Sequence, residues 1–368
     1  MNPLVRRLIL PAAVLLPLAL VNCGDSQNTA LRSAFLKELA SDVILPTYRD
    51  FDTRTETLAG ALAAMEATPN ETTLTAAQAA WRAARAPWEV QESFHVGPSE
   101  ELHTGAAVDQ VPSTTGIDSL LAGDAPLDTN SVSELGANRK GMLAMEYVLF
   151  DAEGGNAAVL SRLTEEGTAG TRRRAYLKAL GAVMHADATA VRNAWEPEQG
   201  NYVAQLATAG NSGSKYATQK DAVDEVVNRL IAAVETAELK LSKPLGFETG
   251  GTIRPELEEA RRSDNSLTDL ENTLQGLERV WRGANGDGGL SRVVAASNKT
   301  LDETVRGDLA AVRTALENIP PPLRKALQND RESVENARAA LSHLRATLTS
   351  EVVANLGVTI KFNDNDGD

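Results

Sequence analysis

At helical spacing, Trp81, Arg85, Trp88 and Glu92 of the stretch WRAARAPWEVQESF fall on one stripe, so two of the chain's four tryptophans share a face with a guanidinium and a carboxylate. Charged groups are costly to bury unless they are paired or bound to something, so the stripe is either an ion pair or part of a site. Glu89 lies on the same segment, His95 follows Glu92 by about one turn, and Glu146 sits in a second apolar segment, GMLAMEYVLF. Carboxylates projecting from facing helices, with one imidazole nearby, are the donors from which helical bundles build metal sites. Glu89, Glu92, His95 and Glu146 are therefore the candidate ligands. The bland alternative is an Arg85–Glu89 or Arg85–Glu92 ion pair that fixes helix register.

Other chemistries lack their residues. The four histidines are His95, His103, His185 and His343, with no H-E-x-x-H and no pair at i, i+4, which leaves a zincin-type peptidase unsupported. Neither a G-x-S-x-G elbow nor a phosphate-binding glycine loop occurs. The glycine-rich run RGANGDGGLS follows a helical pattern and reads as a C-cap and turn. The single cysteine, Cys23, is assigned below to an anchor rather than to nucleophilic catalysis.

The elements that must position these residues are helical. Aromatics make up 4% of the chain, and alternating β-branched runs are scarce. A long helical pattern begins at Leu31 and should bend at Pro46. Thr75 and Gln78 read as a capping box opening the Trp81 helix, and Pro87 should kink that helix or start a new one. Residues 97–130 form a long irregular excursion of the kind that serves as a lid or binding loop. Further helical patterns cover 138–150, 171–195, 217–242, 266–282, 297–317 and 329–348, with Ser266/Asp269 and Thr300/Glu303 as capping signals. The expectation is an all-α fold of two helical-bundle halves, about 27–210 and 211–350. Trp-Arg recurs at 81–82 and 281–282, which hints that the halves are related.

The N-terminus carries Arg6 and Arg7, then an apolar run from Leu8 to Val21 that suits a signal peptide over residues 1–22. Cys23 follows directly in LVNCGDS, a lipobox-like setting for lipidation and for a membrane anchor in the cell envelope, at the outer membrane or the periplasmic face. The net charge of −14 becomes −16 without residues 1–22, which remove two basic and no acidic residues. Such an acidic chain, with no basic stripe, argues against nucleic acid as a partner. FNDNDGD, within residues 361–368, starts like a calcium loop but stops before a bidentate glutamate could follow, so it reads as an acidic tail.

WRAARAPWEVQESFHVGP resembles the W-x-x-x-R-x-P-W-E-x-x-E-x-F segment of imelysin-like proteins, and GMLAMEYVLF falls where that family carries G-x-H-x-x-E. KPLG at 243–246, RRSDNSLTDLENTLQGLERVWRG at 261–283, PPPLRKAL and the closing FNDNDGD also fit. The resemblance spans residues 23–368. It implies two bundle-like halves in one elongated domain, an envelope location and an association with iron or metal handling, with iron-uptake proteins as partners. The family bears a peptidase name. Matching G-x-H-x-x-E onto this chain gives Gly141, Leu143 and Glu146, so leucine stands where the imidazole would be. That favours a non-catalytic binding protein, with a divalent metal or iron as its candidate cofactor and a groove lined by Arg85, Glu89, Glu92 and the Glu146 helix. A metallopeptidase whose metal site is rewired through His95 is the alternative. Ser263 and Ser266 match the family's S-x-N-S stretch and either line the groove or cap the helix that starts there.

Overall fold

A computed structural model of the chain describes residues 23–360; the expected signal segment and the acidic tail lie outside the described residues. Among the described residues there are helices and no strands, as the composition requires. Nine helices carry the argument: α1 (Cys23–Glu38), α2 (Leu45–Ala67), α3 (Glu71–Gln91), α4 (Met142–Leu149), α5 (Thr168–Trp195), α6 (Gln219–Leu245), α7 (Ser266–Arg282), α8 (Lys299–Glu317) and α9 (Arg331–Thr347). None of the described helices is long and apolar enough to cross a membrane.

Two apolar cores organise the packing. In the first, α2, α3 and α5 enclose Leu58, Leu62, Trp81, Met145, Tyr176 and Leu180. In the second, α6 to α9 pack around Leu230, Leu241, Leu277, Trp281, Leu309 and Leu344. The start of the chain departs from the expected division at residue 210. Phe35, Leu36, Val43, Ile44 and Tyr48 belong to the second core, and α2 passes to the first core from Phe51 onward. The reason is chemical: the apolar face of α1 is covered by α6 and by the short helices Tyr202–Ala207 and Gly289–Ser297, and would be wet without them.

Local sequence explains the helix ends, with three corrections. The α3 capping box is formed by Asn70 and Thr73, not by Thr75 and Gln78: the Asn70 side chain accepts from the Thr73 amide at 3.0 Å and Thr73 Oγ1 accepts from the Asn70 amide at 3.1 Å. Gln78 is instead buried, donating to the Leu149 carbonyl. Similarly, α8 is capped by Asn298, two residues ahead of the expected Thr300. Asn265 precedes α7, whose first turn receives no side-chain cap. Pro46 has no N–H for the preceding turn, and residues Leu39–Ile44 widen to π geometry just before it. At Pro87 the helix continues, with α3 unbroken to Gln91. Where α7 crosses α3, Gly276 lies against the Val90 carbonyl so closely that a Cβ could not be accommodated. That contact joins the two halves at the level of the Arg85 stripe.

Candidate functional site

Arg85 is wholly buried, at 0% exposure. Its guanidinium contacts four carboxylates from four places in the chain. Nη2 lies 2.7 Å from Glu89 Oε1 on its own helix and also bonds Glu259; Nη1 donates to Asp109 at 2.5 Å; Nε donates to Asp269 Oδ2 of α7 at 2.8 Å. Beside it, Lys240 of α6 places Nζ 2.7 Å from Glu89 Oε2 and 3.5 Å from both Glu92 and Glu259. Of the two pairs expected for Arg85, the one with Glu89 forms and the one with Glu92 does not; Glu92 faces Lys240 instead. The spacing explains this, because Glu89 is four residues from Arg85 and Glu92 is seven, a full turn farther than the guanidinium reaches.

Neutral groups fix the carboxylates. Thr273 Oγ1 donates to Glu89 at 3.2 Å, Asn265 Nδ2 to Asp269 at 2.7 Å and Trp88 Nε1 to Asp109 at 3.2 Å. Asp109 arrives from the short helix Thr104–Asp109, so the irregular excursion does contribute to the site. Gly141 makes that approach possible: its φ is +89°, and a Cβ there would lie 2.5 Å from the Val108 carbonyl oxygen.

Five carboxyl groups (Glu89, Glu92, Asp109, Glu259 and Asp269) thus surround two cations, leaving three surplus negative charges if all ionise. Burial is the first response to that imbalance. It pushes Glu92, Glu259 and Asp269 above the usual carboxylate range; Lys240 opposes the shift at each and neighbouring carboxylates reinforce it. Asp109 goes the other way: burial raises it, but Arg85 and Lys240 outweigh burial and hold it low. Burial also works against the charge of Arg85 and Lys240, and the surrounding carboxylates more than offset it.

The cluster opens on a cavity of about 350 Å³ whose wall includes Glu92, His95, Asp109, Lys240 and Glu259. Side-chain exposure rises toward it, from 0–1% for Glu89 and Asp269 to 12–20% for Asp109, Glu92 and Glu259. His95 Nδ1 is held by the Gln91 side-chain oxygen at 2.9 Å, which leaves Nε2 turned toward Gly105 at the cavity wall. Burial lowers its pKa to about 3, with Arg229 adding to the effect, so the ring is neutral.

Glu146 lies elsewhere. Its Oε1 accepts from the Arg262 amide at 2.9 Å, the Ser263 amide at 2.8 Å and Ser263 Oγ at 2.8 Å, so it anchors the loop before α7 and does not line the cavity. Burial raises its pKa despite these three bonds. Ser263 therefore binds the Glu146 carboxylate, while Ser266 Oγ accepts from the Ala260 amide and caps nothing. Trp81 donates to the Met142 carbonyl at 2.9 Å, and Leu143 is buried on α4.

Among the described residues, the carboxylate oxygens that could jointly hold a cation belong to Glu89, Glu259 and Asp269, all within 4.8 Å of one another. Of the four candidate ligands only Glu89 is in that set; Glu92 and His95 face the adjoining cavity. An all-oxygen set fits a hard cation; Glu89 Oε1 accepts no well-directed hydrogen bond, and its close contact is the 2.7 Å ion pair with Arg85 Nη2, which a bound cation would share. Asp109, Lys240, Glu259 and Asp269 escaped the sequence reading. Lys240 carried a signal, since it sits three residues after Ala237 and four before Pro244, both buried, on the apolar stripe of α6.

A sequence model of the imelysin family (peptidase family M75) matches residues 44–349, most of the chain. The chain belongs to the imelysin family. The similarity extends to iron-regulated protein A of Synechococcus elongatus, 27% identical over 339 residues, which cover 90% of this chain and 88% of that protein. Two crystal structures share the imelysin fold. A putative iron-regulated protein A precursor from Parabacteroides distasonis aligns with a TM-score of 0.77 at 21% identity, over 90% of this chain and 96% of the other. An imelysin-like protein from Psychrobacter arcticum aligns at 0.72 and 17% identity, over 91% and 98%.

Proposed function

We propose that this imelysin-family chain is a non-catalytic binding protein of the cell envelope, held to a membrane through Cys23, and that it binds a hard metal cation in the acidic cavity as part of iron acquisition. One observation carries the reading: five carboxyl groups face two cations at the base of an open cavity, an imbalance that a bound cation would relieve. Glu89, Glu259 and Asp269 would hold the ion, and it would share their oxygens with Arg85. The similarity to a protein named iron-regulated supports the link to iron. A peptidase reading needs His95, Glu92 and Glu146 around one ion, and Glu146 is committed to Ser263.

Calorimetry with Mn²⁺ on the protein lacking residues 1–22 tests the cation site. Binding of micromolar affinity or weaker is expected, and Glu259→Gln should weaken it at least about tenfold, or ~1.4 kcal/mol. Absence of binding at millimolar Mn²⁺, or an unaffected variant, would sink the reading. For the anchor, Cys23→Ser should move the protein from the membrane pellet to the supernatant; a variant that still pellets would refute lipidation.

A further inference from the structure

A cavity of about 770 Å³ lies at a different place from the acidic cluster. It lies between the two halves. One wall comes from the end of α4, the turn after it and the start of α5; the other comes from residues 255–262 and the helix Leu323–Asn329. Its volume is in the range of small-molecule sites. Six cations line it (Arg162, Arg173, Arg261, Arg262, Arg324 and Lys325), in a chain whose net charge is −14.

The four acidic residues of the wall are already engaged. Asp118 accepts from Tyr147 Oη at 2.8 Å, Asp151 pairs with Arg162 at 2.8 Å, Glu153 pairs with Arg324 at 3.1 Å, and Glu256 bonds Arg254 outside the cavity. Arg173 is taken by Glu165 at 2.5 Å. That leaves Arg261, Arg262 and Lys325, none of which has a carboxylate at ion-pair distance among the described residues. The guanidinium carbon of Arg262 lies over Tyr147, 4.8 Å from the ring centroid, a cation–π contact that helps hold the side chain in place.

The loop carrying the two arginines is rigidly held. The backbone amides of Arg262 and Ser263 both donate to buried Glu146 on α4. Two consecutive guanidiniums repel one another, and partial burial adds to the cost: desolvation pulls the Arg262 pKa down, with Arg261 contributing. A fold that fixes such a pair beside a cavity, instead of letting it splay into solvent, holds a site that lacks its counter-charge. Guanidinium forks match carboxylate and phosphate oxygens in bidentate geometry.

We propose that this cavity binds a small polyvalent oxyanion, bearing carboxylate or phosphate groups, through Arg261, Arg262 and Lys325. The site is independent of the cation site: the two cavities share no lining residue, and neither proposal requires the other.

Calorimetric titration of the protein lacking residues 1–22 with citrate in one arm and pyrophosphate in the other distinguishes the two sources. Saturable binding of at least one is expected, weakening as salt is raised. Preference for citrate identifies a carboxylate ligand and preference for pyrophosphate a phosphate ligand; equal binding means that charge alone is read. The Arg261→Gln/Arg262→Gln double variant should lose at least about tenfold in affinity. Lys325→Gln, at an exposed position that leaves packing intact, should lose severalfold, and Arg292→Gln, on a distant surface pair, should lose nothing. A wild-type protein that binds neither anion at millimolar concentration would overturn the proposal. So would Lys325→Gln and a folded double variant that both bind as tightly as Arg292→Gln.

Discussion

Arg85 shows how far a single side chain can be read from sequence. Its stripe with Trp81, Trp88 and Glu92 was legible because the first three lie within one helix and Glu92 caps its end, so spacing fixes direction. Its partners were not, because Asp109, Glu259 and Asp269 come from segments 24 to 184 positions away, and nothing local in those segments marks the destination. Asp269 even sits in the first turn of α7, where an acidic residue reads as a favourable helix-end charge. The network makes a sharp prediction. Arg85→Met strands several buried carboxylates and should cost about 3–5 kcal/mol. Combined with Asp269→Leu, the loss should fall short of the sum of the single losses by at least about 1 kcal/mol, since the second change removes the buried carboxyl group that the first leaves without its guanidinium partner. The same cycle with Glu92→Leu should show weaker coupling, because Glu92 contacts Lys240. Urea melts of the five variants decide, and equal coupling in both cycles would contradict the assigned contacts.

At the scale of elements, helix existence was legible and helix ends were less so. The cap was expected at Thr75 and forms at Asn70, because any of several Asx or Thr residues in the preceding TPNETT satisfies the N-cap requirement, and tertiary packing decides which does. The excursion at 97–130 gave no regular period, yet it breaks into short helices that bring Asp109 to Arg85. Gly141 fastens this element to α4. Its positive φ and its contact with the Val108 carbonyl leave no room for a side chain, one residue before Asp109. Gly141→Ala should therefore destabilise the protein by about 1–3 kcal/mol. It should also weaken Mn²⁺ binding, although residue 141 never touches the cavity. Circular-dichroism melts and calorimetry read the two effects, and an alanine variant with unchanged melting temperature would show that the close approach is not needed.

Across the whole molecule, the two bundle halves are tied by charge as well as by packing. Arg85 to Asp269, Lys240 to Glu89 and Glu146 to the Ser263 loop all cross from first-half to second-half helices, and Gly276 sets the closeness of α3 and α7 beneath them. The all-α architecture followed from composition and periodicity. The crossing of α1 into the second core did not, because an amphipathic helix declares that it has a buried face and not which neighbour covers it.

The central claim is that surplus buried carboxylates await a cation. Burial pushes Glu92 and Asp269 up to about 8, so at pH 7 they hold protons that an incoming cation must displace, and it raises Glu259 in the same direction. Affinity should accordingly rise from pH 6 to pH 8, the direction in which those protons are lost. Mn²⁺ titration by calorimetry at pH 7, repeated in Pipes and in Tris, whose ionisation heats differ, counts the protons released per ion. Release of about one proton or more is expected, because each raised carboxyl that ionises on binding gives up its proton. Binding with identical heats in both buffers would mean that no proton leaves, and that the carboxylates around Arg85 and Lys240 are already balanced without a cation.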